Sequence, residues 1–371
     1  MIMDKRSHLQ RVEKLQKTLK KEKIDALLVT QPENRRYLSG YTASDHGIQE
    51  TSGILLIPSS GKPHLLTDSR FTLQAEEEAQ GYEVQNYPKG PIKLLKKLLP
   101  SLDVATLGFE SNYTLHSAAA RLSKMAEKTG ITLKPVTEMI ERMRIIKSEE
   151  ELELLRESTR LNEQVFKMVF NSIEPGMSER EVALAIDLTM HELGAEKPSF
   201  DTIVAFGTNA AKPHAVPTDK VLETGQLVLI DMGLIYKGYC SDMTRTFIAG
   251  KPDSTFKKRV RIVRKAQLAG MNAIRSGASC KDVDQAARQV IKDAGYGKAF
   301  QHSLGHGVGI AVHEEPRLSP MSRKKLKTGM VVTVEPGIYL PEWGGIRLEN
   351  MVIVKKNGYE LLNKDTTFLD L

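Results

Sequence analysis

Two cysteines, Cys240 and Cys280, are all the thiols in a chain of 371 residues. That scarcity excludes a disulfide framework and a thiolate zinc site, and it points to the reducing cytoplasm. No apolar run approaches the ~18 residues of a membrane span. The opening MIMDKRSHLQ lacks the apolar core of a signal peptide. Aromatic residues are scarce, at 6%, and they do not interleave with the basic ones. The formal net charge of +7 is scattered over Lys20-Lys21, Lys96-Lys97, Lys257-Lys258-Arg259 and Arg323-Lys324-Lys325, in helical patterns or turns. Without rings to stack bases these are solvated faces, so neither nucleic acid nor membrane is expected as a partner.

What is present describes a soluble globular protein, 40% apolar and 27% charged. The length exceeds one ordinary core and predicts two domains, residues 1–136 and 148–371. The first alternates helical and strand patterns: a charged amphipathic stretch over 6–23, the strands DALLVT, SGILLIPS and VATLGFE, and helices over 72–80 and 115–128. Nothing there reads as a nucleotide site, and Asp45, His46, Asp68 and Arg70 are read as structural loop residues. In the second half, Ser148 and Glu151 predict a capping box opening a long helix, and another helix follows Ser178. TGQLVLIDMGLIYKGYCSDMTRTFIAG reads as a hairpin, helices follow over 255–275 and 281–294, and GMVVTVEPGIYL and GGIRLENMVIV read as two closing strands. Helices followed by an acid-bearing strand pair thus occur twice.

The chemistry concentrates in those strand pairs. Asp231 ends the apolar run 227–230, where an unpaired carboxylate is costly to bury. With the turn centred on Lys237-Gly238, Tyr236 faces Tyr239 and Asp231 faces Thr244, which makes Asp242 the diagonal neighbour of Asp231. Glu335 ends MVVTV, and alternation through IRLEN puts Arg347 and Glu349 on one face. Carboxylates sharing a face repel unless a cation or a proton lies between them. The stretch QHSLGHGVGIAVHEEP adds His302, His306 and His313. Gly305, Gly307 and Gly309 oppose a helix, so the four-residue spacing of the first two is not a helical zinc dyad. Four acids and one imidazole, His306, favour a hard divalent ion such as manganese, with cobalt or zinc as alternatives. Four negative charges balance two such ions.

LIDMG, SDMTR, HSLGHGVG, VHE, VEPGIY and GGIRLEN occur in the order found in the pita-bread metallopeptidases, and the chain resembles that family. Aminopeptidase P, prolidase and methionine aminopeptidase belong to it. The resemblance implies an α/β N-terminal domain followed by an α+β pita-bread (creatinase/aminopeptidase-like) catalytic domain. It implies that Asp231, Asp242, His306, Glu335 and Glu349 hold two metal ions, Asp242 and Glu349 bridging them. It implies that His313 stabilises the tetrahedral intermediate, that His214 and His302 line the substrate pocket, and that Arg347 supports the bridging acids. Glu335 would relay the proton of an attacking metal-held hydroxide. The other histidines, His8, His46, His64, His116 and His191, are read as incidental, and Cys240 as a packed small residue.

The implied activity is cleavage of the first peptide bond before proline. NRRYLSGYT and LLTDSRFTLQAE look nearer to the short aminopeptidase P-like proteins, so a Xaa-Pro aminopeptidase is the leading expectation. Arg317 matches an arginine that prolidases use for a free carboxylate, so the alternative is a Xaa-Pro dipeptidase. A non-catalytic binding module on the same fold is disfavoured because the ligand set is complete. Creatinase is disfavoured because it lacks the acids, and methionine aminopeptidase because of the N-terminal domain. The resemblance also implies a homodimer.

Overall fold

The apolar runs of the first unit become one six-stranded mixed sheet. Its strands are β1 (Ala26–Val29), β2 (Ile54–Pro58), β3 (His64–Thr67), β4 (Glu83–Asn86), β5 (Thr106–Glu110) and β6 (Thr132–Val136), in the order β4-β3-β2-β1-β5-β6. β1 is parallel to β5 and antiparallel to β2. The computed structural model describes residues 5–369 and divides into two units, Met1–Arg144 and Ile145–Leu371. Residues 1–4 and 370–371, the extremities of the two expected domains and the start of MIMDKRSHLQ, lie outside the described residues. The first unit's helices are α1 (Lys5–Lys21), α2 (Pro32–Ser39), α3 (Thr72–Glu78), α4 (Pro91–Ser101), α5 (His116–Thr129) and α6 (Glu141–Arg144). Leu95, Leu98 and Leu99 of α4 and Leu122, Met125 and Ala126 of α5 bury one face of the sheet. α3 stops two residues before the expected Gln80. α5 runs one residue past the expected Lys128, to where Gly130 closes it in the left-handed conformation. Asp45 pairs with the buried Arg35 at 2.9 Å and Asp68 with Arg70 at 2.8 Å.

In the second unit, α7 (Glu149–Phe170) and α8 (Glu179–Glu192) both begin with capping boxes, Ser148 with Glu151 and Ser178 with Glu181. The strands β7 (Lys197–Pro198), β8 (Ile203–Phe206), β9 (Leu227–Met232), β10 (Leu234–Tyr236), β11 (Tyr239–Cys240) and β12 (Met243–Ile248) form two three-stranded sheets, β11-β10-β7 and β12-β9-β8. After α9 (Ser254–Ala273) and α10 (Cys280–Asp293) come β13 (Gly305–Gly307), β14 (Glu314–Leu318), β15 (Val331–Val334), β16 (Gly337–Leu340), β17 (Gly344–Arg347), β18 (Asn350–Lys355) and β19 (Gly358–Leu361). Five of these make the sheet β14-β13-β15-β18-β19, while β16 pairs with β17. No described helix is long and apolar enough to cross a membrane.

β9 is apolar at successive positions because both of its faces are buried. Val228 and Ile230 pack into the cluster of α7 and α8, while Leu227 and Leu229 pack into that of α9 and α10. Alternation puts Asp231 on the face of Leu229, toward the middle of the unit. The hairpin register has Tyr236 opposite Tyr239 and Asp231 opposite Thr244.

The closing strands differ from the two continuous runs read in the sequence. GMVVTVEPGIYL breaks at Glu335-Pro336 into β15 and β16, and GGIRLENMVIV breaks at Leu348-Glu349 into β17 and β18. Pro336 has no N–H for a ladder, and the Glu335 N–H turns aside to the Leu304 carbonyl at 2.8 Å. The Glu349 N–H leaves its own sheet and donates to the Thr244 carbonyl of β12 at 3.2 Å. That bond joins the two halves of the second unit at the site.

Candidate metal centre

Every acid singled out in the sequence sits where a strand ends. Asp231 is the penultimate residue of β9, Asp242 immediately precedes β12, Glu335 follows β15 and Glu349 precedes β18. His306 is the middle residue of β13, squeezed between neighbouring strands. A Cβ at Gly305 would run into the Thr333 carbonyl, and one at Gly307 into the carbonyl of Glu315. Both flanking positions therefore admit only glycine, which is why the histidine is embedded in G-H-G.

The imidazole of His306 has a fixed tautomer. Its Nδ1 lies 3.1 Å from the Gly307 carbonyl, which only accepts, so Nδ1 carries the proton. The bare Nε2 then points at carboxylates, 3.5 Å from Asp242 Oδ2 and 3.4 Å from Glu335 Oε1. Donor atoms of Asp242, His306 and Glu349 all lie within 4.8 Å of one another. Lone pairs facing lone pairs at this range repel unless a cation lies among them.

Two further oxygens make the same point. Asp231 Oδ1 and Glu349 Oε1 are buried without a hydrogen-bond partner, while each carboxylate's other oxygen is fixed. Arg347 donates to Asp231 Oδ2 at 2.6 Å, and the Thr244 hydroxyl donates to Glu349 Oε2 at 2.7 Å. A buried, unsatisfied carboxylate oxygen is expensive in a dry pocket and inexpensive beside a metal. The donor set, four carboxylates and one imidazole without sulfur, suits divalent cations, and the residues present fit such ions.

Electrostatics agree with the geometry. Burial, and then the neighbouring Glu349 carboxylate, raise Asp242 and Glu335 well above the usual carboxylate range. Burial and Asp231 push Glu349 up to about 8. Burial, reinforced by His313, lowers His306 to about 4, so the imidazole is neutral and able to ligate. His302 is lowered to about 4 by burial and by Arg347, and His313 is lowered by burial and by Arg317.

The floor formed by these groups belongs to a cavity of about 690 Å³ lined by all ten residues singled out in the sequence. Besides the five ligand-type side chains, His214, His302, His313, Arg317 and Arg347 line it. His313 stacks edge-on to His306 with ring centroids 4.4 Å apart. His302 Nε2 lies 3.0 Å from the Tyr339 hydroxyl, which in turn accepts from Arg347 at 2.8 Å. Cys240 stays out of the site, its buried thiol 3.4 Å from the Ile310 carbonyl.

Sequence reasoning passed over the hydroxyls that hold this floor in place. Thr244 bonds Glu349 and accepts from Arg347 Nε at 3.0 Å. Thr333 accepts from the His306 N–H at 3.0 Å and donates to Glu335 Oε1 at 3.2 Å. A threonine inside the apolar run VVTV was the available signal. The wall made by Phe200, Asp201 and Ile203 was passed over as well.

Residues 153–356 match the family described as Metallopeptidase family M24, and residues 11–146 match the Creatinase/Prolidase N-terminal domain. The Xaa-Pro dipeptidase of Pyrococcus horikoshii is 36% identical over 357 residues, 96% of this chain and 97% of that protein. Among solved structures, the Xaa-Pro dipeptidase from Bacillus anthracis superposes with a TM-score of 0.89 at 36% identity, covering 96% of this chain and 98% of its own. The X-Pro aminopeptidase from Thermotoga maritima gives 0.84 at 35% identity, with 92% and 96% covered.

Proposed function

The chain belongs to metallopeptidase family M24, and from that premise we propose that it is a divalent-metal-dependent Xaa-Pro dipeptidase. This replaces the Xaa-Pro aminopeptidase favoured from the sequence. The relatives bearing the dipeptidase name cover 96% of this chain at about the same identity as the aminopeptidase, which covers 92%, and one of them superposes better. The observation that carries the reading is the convergence of five ligand-type side chains, two with orphaned carboxylate oxygens, on the floor of a cavity that Arg317 also lines.

Asp231, Asp242, His306, Glu335 and Glu349 would hold two divalent ions. When bound, the ions supply Lewis acidity toward water and the peptide carbonyl. Glu335 takes the proton of the attacking water and delivers it to the prolyl nitrogen as the bond breaks. His313, neutral because its pKa is lowered, donates its N–H to the oxygen that gains charge. Arg347 keeps Asp231 in place through one arm of its guanidinium, while the other arm bonds Tyr339. His214 and His302 flank the proline ring. The proline nitrogen offers no N–H to grip, so selection falls to shape.

Arg317 receives the free carboxylate of the dipeptide, the feature that separates this reading from the aminopeptidase. Manganese is the ion this oxygen-dominated set favours. The two buried free thiols fit a reducing cytoplasm, and a homodimer follows from the resemblance. The test is a comparison of Ala-Pro with Ala-Pro-Ala as substrates for manganese-loaded protein. Hydrolysis of the dipeptide alone is expected; equal or faster cleavage of the tripeptide returns the aminopeptidase.

A further inference from the structure

The acids on the cavity floor all belong to the proposed ligand set. Asp231 pairs with Arg347, Asp242 lies against His306, Glu335 accepts from Thr333 and Glu349 from Thr244. Asp201 lines the same cavity, is exposed, and among the described residues has neither a hydrogen bond nor an ion pair through its carboxylate. It is a fixed negative charge facing the substrate space without an internal use.

Its position follows from the strand register. Ile203 of β8 lies directly opposite Asp231 and lines the cavity. Asp201, two residues earlier and just ahead of β8, lines the same cavity. Thr202, between them, points the other way, its hydroxyl donating to Asp187 Oδ1 at 2.6 Å. That bond holds the segment so that Asp201 stays turned to the cavity. Phe200 stands beside it as an apolar lining residue.

We propose that Asp201 selects dipeptides whose first residue is cationic, lysine or arginine, ahead of proline. The inference rests on the dipeptidase reading and deepens it. With the proline ring between His214 and His302 and the carboxylate at Arg317, the wall of Phe200, Asp201 and Ile203, beside Asp231, receives the first side chain. A long basic side chain lays its methylenes along Phe200 and Ile203 and brings its charge to Asp201. The floor's own anions cannot serve, because the metals and their partners consume them. Arg317 leaves the opposite end cationic, so a Lys-Pro or Arg-Pro substrate complements the cavity at both ends.

The experiment measures kcat/KM for Arg-Pro, Lys-Pro, Gln-Pro, Glu-Pro and Ala-Pro with manganese-loaded wild type, Asp201→Asn and Asp201→Lys, at low and high salt. Wild type is expected to favour Arg-Pro and Lys-Pro over Gln-Pro roughly fivefold, as an exposed ion pair allows, and to lose the preference at high salt. Asp201→Asn abolishes the preference and Asp201→Lys transfers it to Glu-Pro, each read as a ratio to Ala-Pro, whose methyl side chain brings no charge of its own to position 201. Ala-Pro turnover with a charge preference below about twofold, or with one that persists in Asp201→Asn, overturns the inference and leaves the dipeptidase standing. Failure of wild type to hydrolyse Ala-Pro refutes the dipeptidase itself and this inference with it.

Discussion

Replacing Thr244 with valine removes one hydroxyl and almost no volume. Thr244 is completely buried and sits between two charged groups, donating to Glu349 Oε2 at 2.7 Å and accepting from Arg347 Nε at 3.0 Å. Valine leaves both unsatisfied, and no water fits where the methyl lies. Bonds to charged groups contribute about 1.5–3 kcal/mol each. Part of that is lost to relaxation, and burial has already pushed Glu349 up to about 8, so its proton is largely on in the metal-free protein at neutral pH. The expected loss of metal-free stability is therefore about 2–3 kcal/mol rather than the full sum.

The larger consequence falls on metal binding. The Thr244 hydroxyl favours the ionised form of Glu349, so Thr244→Val holds the Glu349 proton more tightly and makes it harder for a cation to displace. An outer partner of this kind is worth about 10–100-fold in metal affinity. The assay is manganese titration of metal-free protein by calorimetry or chelator competition, beside urea unfolding of the same preparations. Thr244→Ser keeps the hydroxyl, loses a methyl, and should bind manganese within about threefold of wild type while still losing about 1 kcal/mol of stability. Unchanged affinity in Thr244→Val, or equal damage from Thr244→Ser, would refute the assignment of the hydroxyl to Glu349.

Asp242→Asn should lose both metal and activity yet stabilise the metal-free protein by about 1 kcal/mol, because it relieves burial of an acid crowded by Glu349; metal analysis and unfolding of the same sample check both signs. His313→Ala should retain metal and lose kcat about 100-fold, since its bond matters mainly in the transition state; metal lost with the histidine would reverse its role. Glu360 accepts from Arg156 at 2.8 Å and Lys355 at 2.7 Å, and Arg156 first, then Lys355, lower it to about 2 against burial. Its folded value is depressed, so its contribution is complete above the ordinary 4.5 and disappears as pH falls through about 2. Glu360→Gln, at a partly solvated pair, should cost about 1 kcal/mol at neutral pH, a difference from wild type that shrinks in acid; a gap that persists as pH falls toward 2 would sink the ion-pair account.

Local chemistry made part of this fold legible. Ser148 with Glu151 announces a helix start because both partners of the capping box lie within one turn. Lys237 and Gly238 take positive φ, 47° and 85°, as a two-residue hairpin turn requires, and this turn sets the pairing of Asp231 with Thr244. Of the two strand breaks, Pro336 marks the first in the sequence, since it has no N–H for a ladder. The second was not legible, because what interrupts the ladder at Glu349 is a backbone bond to the distant Thr244. The supporting hydroxyls were hidden for the same reason, since Thr244 and Glu349 are 105 residues apart. Asp201 was invisible because an exposed acid before a strand carries no signal until the fold turns it toward a cavity.

The strand breaks and the cost of the buried acids are two sides of one arrangement. A carboxylate in mid-strand competes for its face with the apolar neighbours that stabilise the sheet. At a strand end the backbone can turn it away from that face without leaving a ladder bond unmade. The protein does this three times, at Asp242, Glu335 and Glu349, and ties two of the ends together through the Glu349 N–H and the Thr244 carbonyl. The orphaned oxygens of Asp231 and Glu349 are thus held in place by the backbone and by the bonds of Arg347 and Thr244 to each carboxylate's other oxygen. Rigidity at the ligands keeps them crowded in the metal-free protein, so that protons are taken up there to relieve the repulsion, and an entering cation binds by displacing them.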